Sequence, residues 1–150
     1  MKKAYICVIC LIAITIAIIM GRYYSYKQKV AEINQYNLQY EQYSQREIYG
    51  TELATLINKA MDSNDKNEVS KDILQKDDKQ IYIYVPNDTN SINIEIKMLD
   101  KDNIYKMEAF YQAKLEDFVQ LYNECKFSCQ KKEYHKDGKI KYMLFEQVSK

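Results

Sequence analysis

The stretch AYICVICLIAITIAIIMG, residues 4–21, decides how the rest of this chain is read. It carries no charged side chain, and Thr15 is its most polar residue. Wound into a helix at about 1.5 Å per residue, the run is roughly 27 Å long, close to the roughly 30 Å hydrocarbon core of a bilayer. Lys2 and Lys3 precede it, and Arg22, Tyr23, Tyr24, Tyr26, Lys27 and Lys29 follow. A basic head, an apolar span and an aromatic, basic collar are what a membrane anchor needs at the two interfaces. The expected organisation is a cytoplasmic tail at 1–3, a transmembrane helix at 4–21, a helical stalk at 22–49 and a small domain at 50–150. A cleaved signal peptide is the competing reading. The apolar stretch exceeds the usual run of about 7–15 residues, and Ile19 is bulky where cleavage favours a small residue, so an uncleaved anchor is preferred. A short basic tail before a long polar part keeps the tail in the cytoplasm and places the domain outside it.

Charge is unevenly spread. The net charge of +1 over 150 residues hides three basic and no acidic residues in positions 1–26, so positions 27–150 hold 19 basic against 21 acidic residues. No basic face is legible in that part, and nucleic acid is not an expected partner. About 100 residues remain after anchor and stalk, enough for one small core. Tyr occurs 15 times and Trp not at all, which makes Tyr the main aromatic packing residue.

Beyond the anchor, Tyr26, Val30, Ile33, Tyr36, Tyr40 and Tyr43 recur at helical spacing on one stripe. Tyr suits a half-buried surface, since its ring is apolar and its hydroxyl can stay wet. The stripe therefore either packs on the chain's own domain or forms a seam with another molecule; in the second case Tyr36, Tyr40 and Tyr43 are the contact residues. Gly50 interrupts this helix, and Thr51 is a candidate N-cap. Leu53, Leu56, Ile57, Ala60 and Met61 then share one face of an amphipathic helix. The segment DSNDKNEVSKD, from 62 to 72, reads as polar loop.

Strands come next. IYIYV at 81–85 is β-branched and aromatic, and Pro86 stops it. In SINIEIKML at 91–99, Ile92, Ile94, Ile96 and Met98 alternate with Asn93, Glu95 and Lys97, so one face is buried and the other wet. These two are expected to pair as a hairpin. A further helix is expected from about 105 to 125, with Phe110, Leu115, Phe118, Val119, Leu121 and Tyr122 on its apolar face. A second hairpin turns at Asp137-Gly138, a favoured tight-turn pair. Helices followed by hairpins give an α+β domain with a small antiparallel sheet.

Groups able to carry chemistry are sparse. His135 is the lone histidine and sits beside the second hairpin turn, where an exposed, solvated role is expected. No catalytic triad can be assembled around it. Asp62, Asn64, Asp65, Asn67 and Glu68 invite a calcium-loop reading, but the spacing puts Lys66 and Ile73 where ligands belong. Asp77-Asp78, Asp100 and Asp102 read as turn acids. Cys7 and Cys10 are apolar fillers of the span. Cys125 and Cys129 lie too far apart on a regular helix for a disulfide, yet can bridge a helix–strand junction if the helix ends near Cys125 and the domain lies outside the cytoplasm. CxxxC without a second ligand pair is no zinc signature. No cofactor, metal or catalytic residue is expected.

A span extended by a stalk that lays one face on a small antiparallel sheet resembles the layout of type IV pilins and pseudopilins. The stretch IYGTELATLINKAMDSNDKN, at 48–67, resembles a segment of small single-pass membrane proteins of Gram-positive bacteria. The pilin likeness implies assembly through the amino-terminal helix into an envelope filament, secretion or DNA-uptake apparatus. Pilins, however, carry a Gly cleavage site before the apolar run and a Glu early within it. Here only Met1, Lys2 and Lys3 precede Ala4, and no acid occurs before Glu32. The expectation is therefore a permanently anchored, non-enzymatic accessory protein. Its expected partners are the bilayer and other membrane or envelope proteins, including further copies of itself. The alternative is a membrane-tethered sensor or ligand-binding domain with its site between sheet and helix 105–125.

Overall fold

Helix α1 covers Lys2–Glu41. The computed structural model describes residues 2–76, 79–87, 89–99 and 103–149, with the side chains of 2–4, 75, 76 and 79 set aside. Two units divide the chain, Met1–Gln35 and Tyr36–Lys150. In the first, every residue from 5 to 29 is exposed, and the helix is long and apolar enough to cross a membrane. The hydroxyls of Thr15 and Ser25 are tied back into the helix. Thr15 Oγ1 donates to the Ile12 carbonyl at 2.8 Å and Ser25 Oγ to that of Gly21 at 3.0 Å, so neither is left unpaired in an apolar medium.

The second unit begins with the last turns of α1. The helix ends at Glu41 rather than running to 49, which corrects the expected stalk. Tyr43 N–H returns to the Tyr40 carbonyl, and the Ser44 amide and hydroxyl both return to that of Glu41. This tight exit lets Ile48 bury completely as part of the short strand β1, Ile48–Tyr49.

Helix α2, Gly50–Lys66, starts directly after β1. Its N-cap is Tyr49, two residues before the expected Thr51. The reason is Glu52, whose carboxylate reaches back to the Tyr49 N–H at 3.0 Å and to the Arg46 guanidinium, as an acid at the third helical position can. Gly50 is required by contact: a Cβ there would collide with the Tyr122 carbonyl. Leu53, Leu56, Ile57, Ala60 and Met61 are buried as their spacing predicts. The helix then continues through Lys66, so the expected polar loop is partly helical. Asn64 is wholly buried, and its side chain bonds both the N–H and the carbonyl of Ile92 at 2.8 Å.

Strands β2, Lys71–Lys76, and β3, Lys79–Tyr84, form a separate two-stranded antiparallel sheet. Then follow β4, Asn93–Lys97; β5, Ile104–Lys106; α3, Met107–Gln112; α4, Leu115–Tyr122; β6, Lys126–Tyr134; and β7, Ile140–Ser149. The larger sheet has the order β1-β6-β7-β4-β5, with β4 parallel to β7 and the other pairs antiparallel. The fold is α+β, but the expected hairpin between 81–85 and 91–99 does not form. Asn87 Oδ1 accepts the amides of Thr89, Asn90 and Ser91, turning the chain after Pro86. Asn64 then grips Ile92, so β4 enters beside β7 instead. Its alternation holds: Ile92, Ile94, Ile96 and Met98 are buried.

The expected helix from 105 to 125 is also corrected. Its start is β5, and Lys114, with a φ of 66°, separates α3 from α4. The two short helices cover the sheet with an aromatic row. Phe118 lies 4.9 Å from Phe110, 5.1 Å from Tyr122 and 6.0 Å from Phe127, centroid to centroid, in the range where ring pairs attract. The β6–β7 hairpin forms as expected, with Gly138 at a φ of 95°. Its inward residues are Phe127, Ile140, Met143 and Phe145. A register shift that leaves Lys141 as an extra residue in β7 accounts for Ile140 and Met143 both facing in.

Candidate functional site

The three stalk tyrosines come together, but on the chain's own core. Tyr40 is completely buried, Tyr43 is buried and Tyr36 half-buried, with the Tyr36 and Tyr40 rings 5.1 Å apart. Tyr36 donates to the Ile140 carbonyl at 3.4 Å, and the neighbouring Asn37 bonds both the Gly138 carbonyl and the Ile140 N–H. Little of Tyr40 or Tyr43 is left for a partner, so the seam reading gives way to own-domain packing at these positions.

Cys125 and Cys129 are free. Cys125 precedes β6 and Cys129 lies inside it, and four residues of strand cover about 13 Å, against about 4.4–6.8 Å between the Cα atoms of a disulfide. The proposed bridge is thereby excluded in this fold. Burial pushes the Cys129 thiol above its ordinary value, which makes it a poor nucleophile.

His135 is buried rather than exposed. Its Nε2 lies 2.6 Å from the Ser91 carbonyl, a contact that requires the proton on Nε2. The imidazole is a clasp between the β6–β7 turn and the loop entering β4. Asp62 and Asp65 lie on α2 and Asn67 is its C-cap, and no metal-holding cluster of His, Cys, Asp or Glu exists among the described residues. Asp77-Asp78, Asp100 and Asp102 lie outside the described residues.

Between sheet and short helices, where the alternative reading puts a ligand site, the rings of Phe110, Phe118 and Phe127 pack in a row. The outer face of the large sheet is polar and self-satisfied. Tyr142 donates to Glu95 at 2.7 Å, Lys97 pairs with Glu146 at 3.2 Å, and Lys131 and Lys141 flank Glu133 at 2.7 and 3.2 Å. These lysines hold the Glu133 carboxyl below its ordinary range. Along that face, a groove of about 400 Å³ runs past Asn87, Asn93, Tyr134, His135 and Tyr142.

Strands β2–β3 and the residue after them carry several of the second unit's exposed apolar side chains; others, such as Leu38 and Leu121, lie elsewhere. Ile73 and Tyr82 are cross-strand partners and are 52% and 54% exposed; Leu74 and Val85 are exposed as well. Helix α3 seals the outer edge of β3. Gln112 acts as a strand in miniature, accepting the Tyr82 N–H at 3.2 Å and donating to its carbonyl at 2.6 Å. Buried Glu108 accepts the Tyr84 N–H at 2.9 Å. Burial, with the Asp65 and Glu108 carboxylates near it, pushes the Tyr84 hydroxyl well above its ordinary range. The outer edge of β2 has no neighbouring strand among the described residues, and its Ile73 N–H turns to the adjacent Asp72 carboxylate at 2.7 Å.

Sequence reasoning missed Asn64, Glu108 and Gln112. Asn64 follows Ala60 and Met61 at helical spacing, and that periodicity was a usable signal. The two α3 side chains had none, because their partner is backbone. No protein family, curated protein or solved structure matches this chain.

Proposed function

We propose that this is a membrane-anchored, non-enzymatic protein that acts by protein–protein contact through the β2–β3 hairpin. The supporting observation is the exposed Ile73–Tyr82 pair on β2–β3, beside a β2 edge that has no neighbouring strand among the described residues. An apolar pair next to unpaired backbone is the combination that strand addition by a partner uses. On this reading the apolar part of α1 serves as the anchor and the second unit lies outside the cytoplasm. The partner on this reading is another membrane or envelope protein or a further copy of the chain. An anchored helix leading into a small α+β unit also favours an accessory role in a pilus-like or secretion assembly.

A photoreactive phenylalanine analogue at Tyr82, in the full chain in its native membranes, tests this. Adducts to a discrete protein are expected from position 82 and not from Glu146 on the polar sheet face. Absence of adducts at 82, or an equal yield at 146, overturns the hairpin as the contact element.

A further inference from the structure

The hydrogen-bonding groups on the open edge of β2 follow a fixed alternation. Tyr82 and Tyr84 turn their N–H groups to Gln112 and Glu108, away from β2. Residues that face each other in an antiparallel pair either exchange both backbone bonds or both turn outward. Lys71 and Ile73 stand opposite Tyr84 and Tyr82, so they and Gln75 present N–H and C=O to the open edge. Asp72, Leu74 and Lys76 bond across to β3 instead. Two contacts agree with this assignment. The Val85 N–H bonds the Ser70 carbonyl at 2.7 Å, which continues the alternation, and the outward Ile73 N–H is met by the Asp72 carboxylate beside it.

That alternation restricts how a second β2 can meet the first. A two-fold axis that joins like edges with a full ladder sets the strands antiparallel, and outward residues must then face outward residues. The axis therefore passes through a residue and never between two. The slip that would set Lys71 against Lys76 is forbidden by this rule. With Asp72 on the axis, two carboxylates face each other, which is destabilising. With Ile73 on the axis, Asp72 faces Leu74 and gains no opposite charge. With Leu74 on the axis, Leu74 meets its own copy in the close, non-hydrogen-bonded pairing, and Asp72 of each strand stands opposite Lys76 of the other. Ile73 opposite Gln75 then supplies ladder bonds on both sides of the axis, and the two Ile73 residues become diagonal neighbours at about 7–8 Å. Read in reverse about Leu74, β2 is complementary in charge to itself.

We propose that the occupant of the β2 edge is a second copy of this chain, paired antiparallel about Leu74. The two hairpins form one four-stranded sheet whose outer edges are closed by Gln112 and Glu108 of the two α3 helices. The inference rests on the hairpin being the contact element, and it adds what the hairpin contacts and in which register.

The test is sedimentation equilibrium of the full chain in density-matched, neutral detergent micelles. The parent should dimerise in a concentration-dependent way. Asp72→Lys sets a lysine against Lys76 of the other copy, and Lys76→Asp sets an aspartate against Asp72. Each variant alone should therefore dimerise about tenfold more weakly. An equal mixture of the two variants restores both opposite-charge pairs, as does the double variant Asp72→Lys/Lys76→Asp, and both should return the dimer to parental strength. A variant that merely loosened its own hairpin would not be rescued by mixing. A parent that stays monomeric at every concentration, or a dimer indifferent to these charge changes, overturns the proposal. In either event, photoadducts from Tyr82 to a different protein keep the hairpin as the contact element with a foreign occupant, whereas absence of adducts removes both readings.

Discussion

The two hairpins of this chain are built alike and held differently. β6–β7 sits in the middle of the large sheet, with strands on both sides and Phe127, Met143 and Phe145 buried beneath it. β2–β3 has only itself for a sheet and is held to the core by the buried Tyr84 ring and by polar side chains of α3 and α2. An isolated two-stranded hairpin is marginal in water, so its order depends on what covers it. One hairpin is core, the other an appendage clipped to the core by Glu108, Gln112 and Asp65.

The largest effect that separates them is expected from Phe145→Ala. Removing that buried ring should cost about 3–5 kcal/mol, read by denaturant unfolding of the full chain in micelles, and all protected amides should be lost together. If β2–β3 amides stay protected in that variant, the appendage folds independently and the contrast is misdrawn. An intermediate effect is expected from Glu108→Ala, which strands the buried Tyr84 N–H at a cost of about 1–3 kcal/mol. Hydrogen exchange should quicken at Tyr84 and leave β6–β7 unchanged. Glu108→Gln keeps an acceptor and should restore protection; failure to do so would mean that shape rather than the hydrogen bond is what matters.

The smallest effect concerns acid. The Asp65 carboxyl is held below its ordinary value of 3.8, first by its bond to Lys71 at 2.7 Å and then by Tyr84. A depressed folded-state value means that the pair stabilises above the unfolded value and that this contribution fades as pH falls through the folded one. Both partners are exposed, so the pair contributes at most about 1 kcal/mol. Amide shifts in β2 should therefore move as pH falls below about 4 in the parent, and this movement should be absent in Asp65→Asn. Movement that persists in the variant would assign the titration to another group.

The contrast also explains what could be read in advance. The β6–β7 hairpin announced itself through Asp137-Gly138 between apolar strands, and β4 through strict alternation of isoleucines. β2 did not, because KDILQK has no period-2 pattern: nothing covers either face closely enough to demand one. The pairing of β4 with β7 depends on Asn64 reaching Ile92 from 28 positions earlier in the chain, a long-range bond that no local pattern encodes. The tyrosine stripe was legible as a stripe, but periodicity reports that a face is buried and not by whom.

The way Gln112 closes β3 bears on stoichiometry. With one edge occupied by a side chain that mimics a strand, a second chain can pair only along β2. A sheet that can grow on one side alone cannot propagate; two such edges meeting about a two-fold axis form a pair and stop. On the proposed reading the hairpin therefore takes one partner strand at a time, because Gln112 and Glu108 close its other edge.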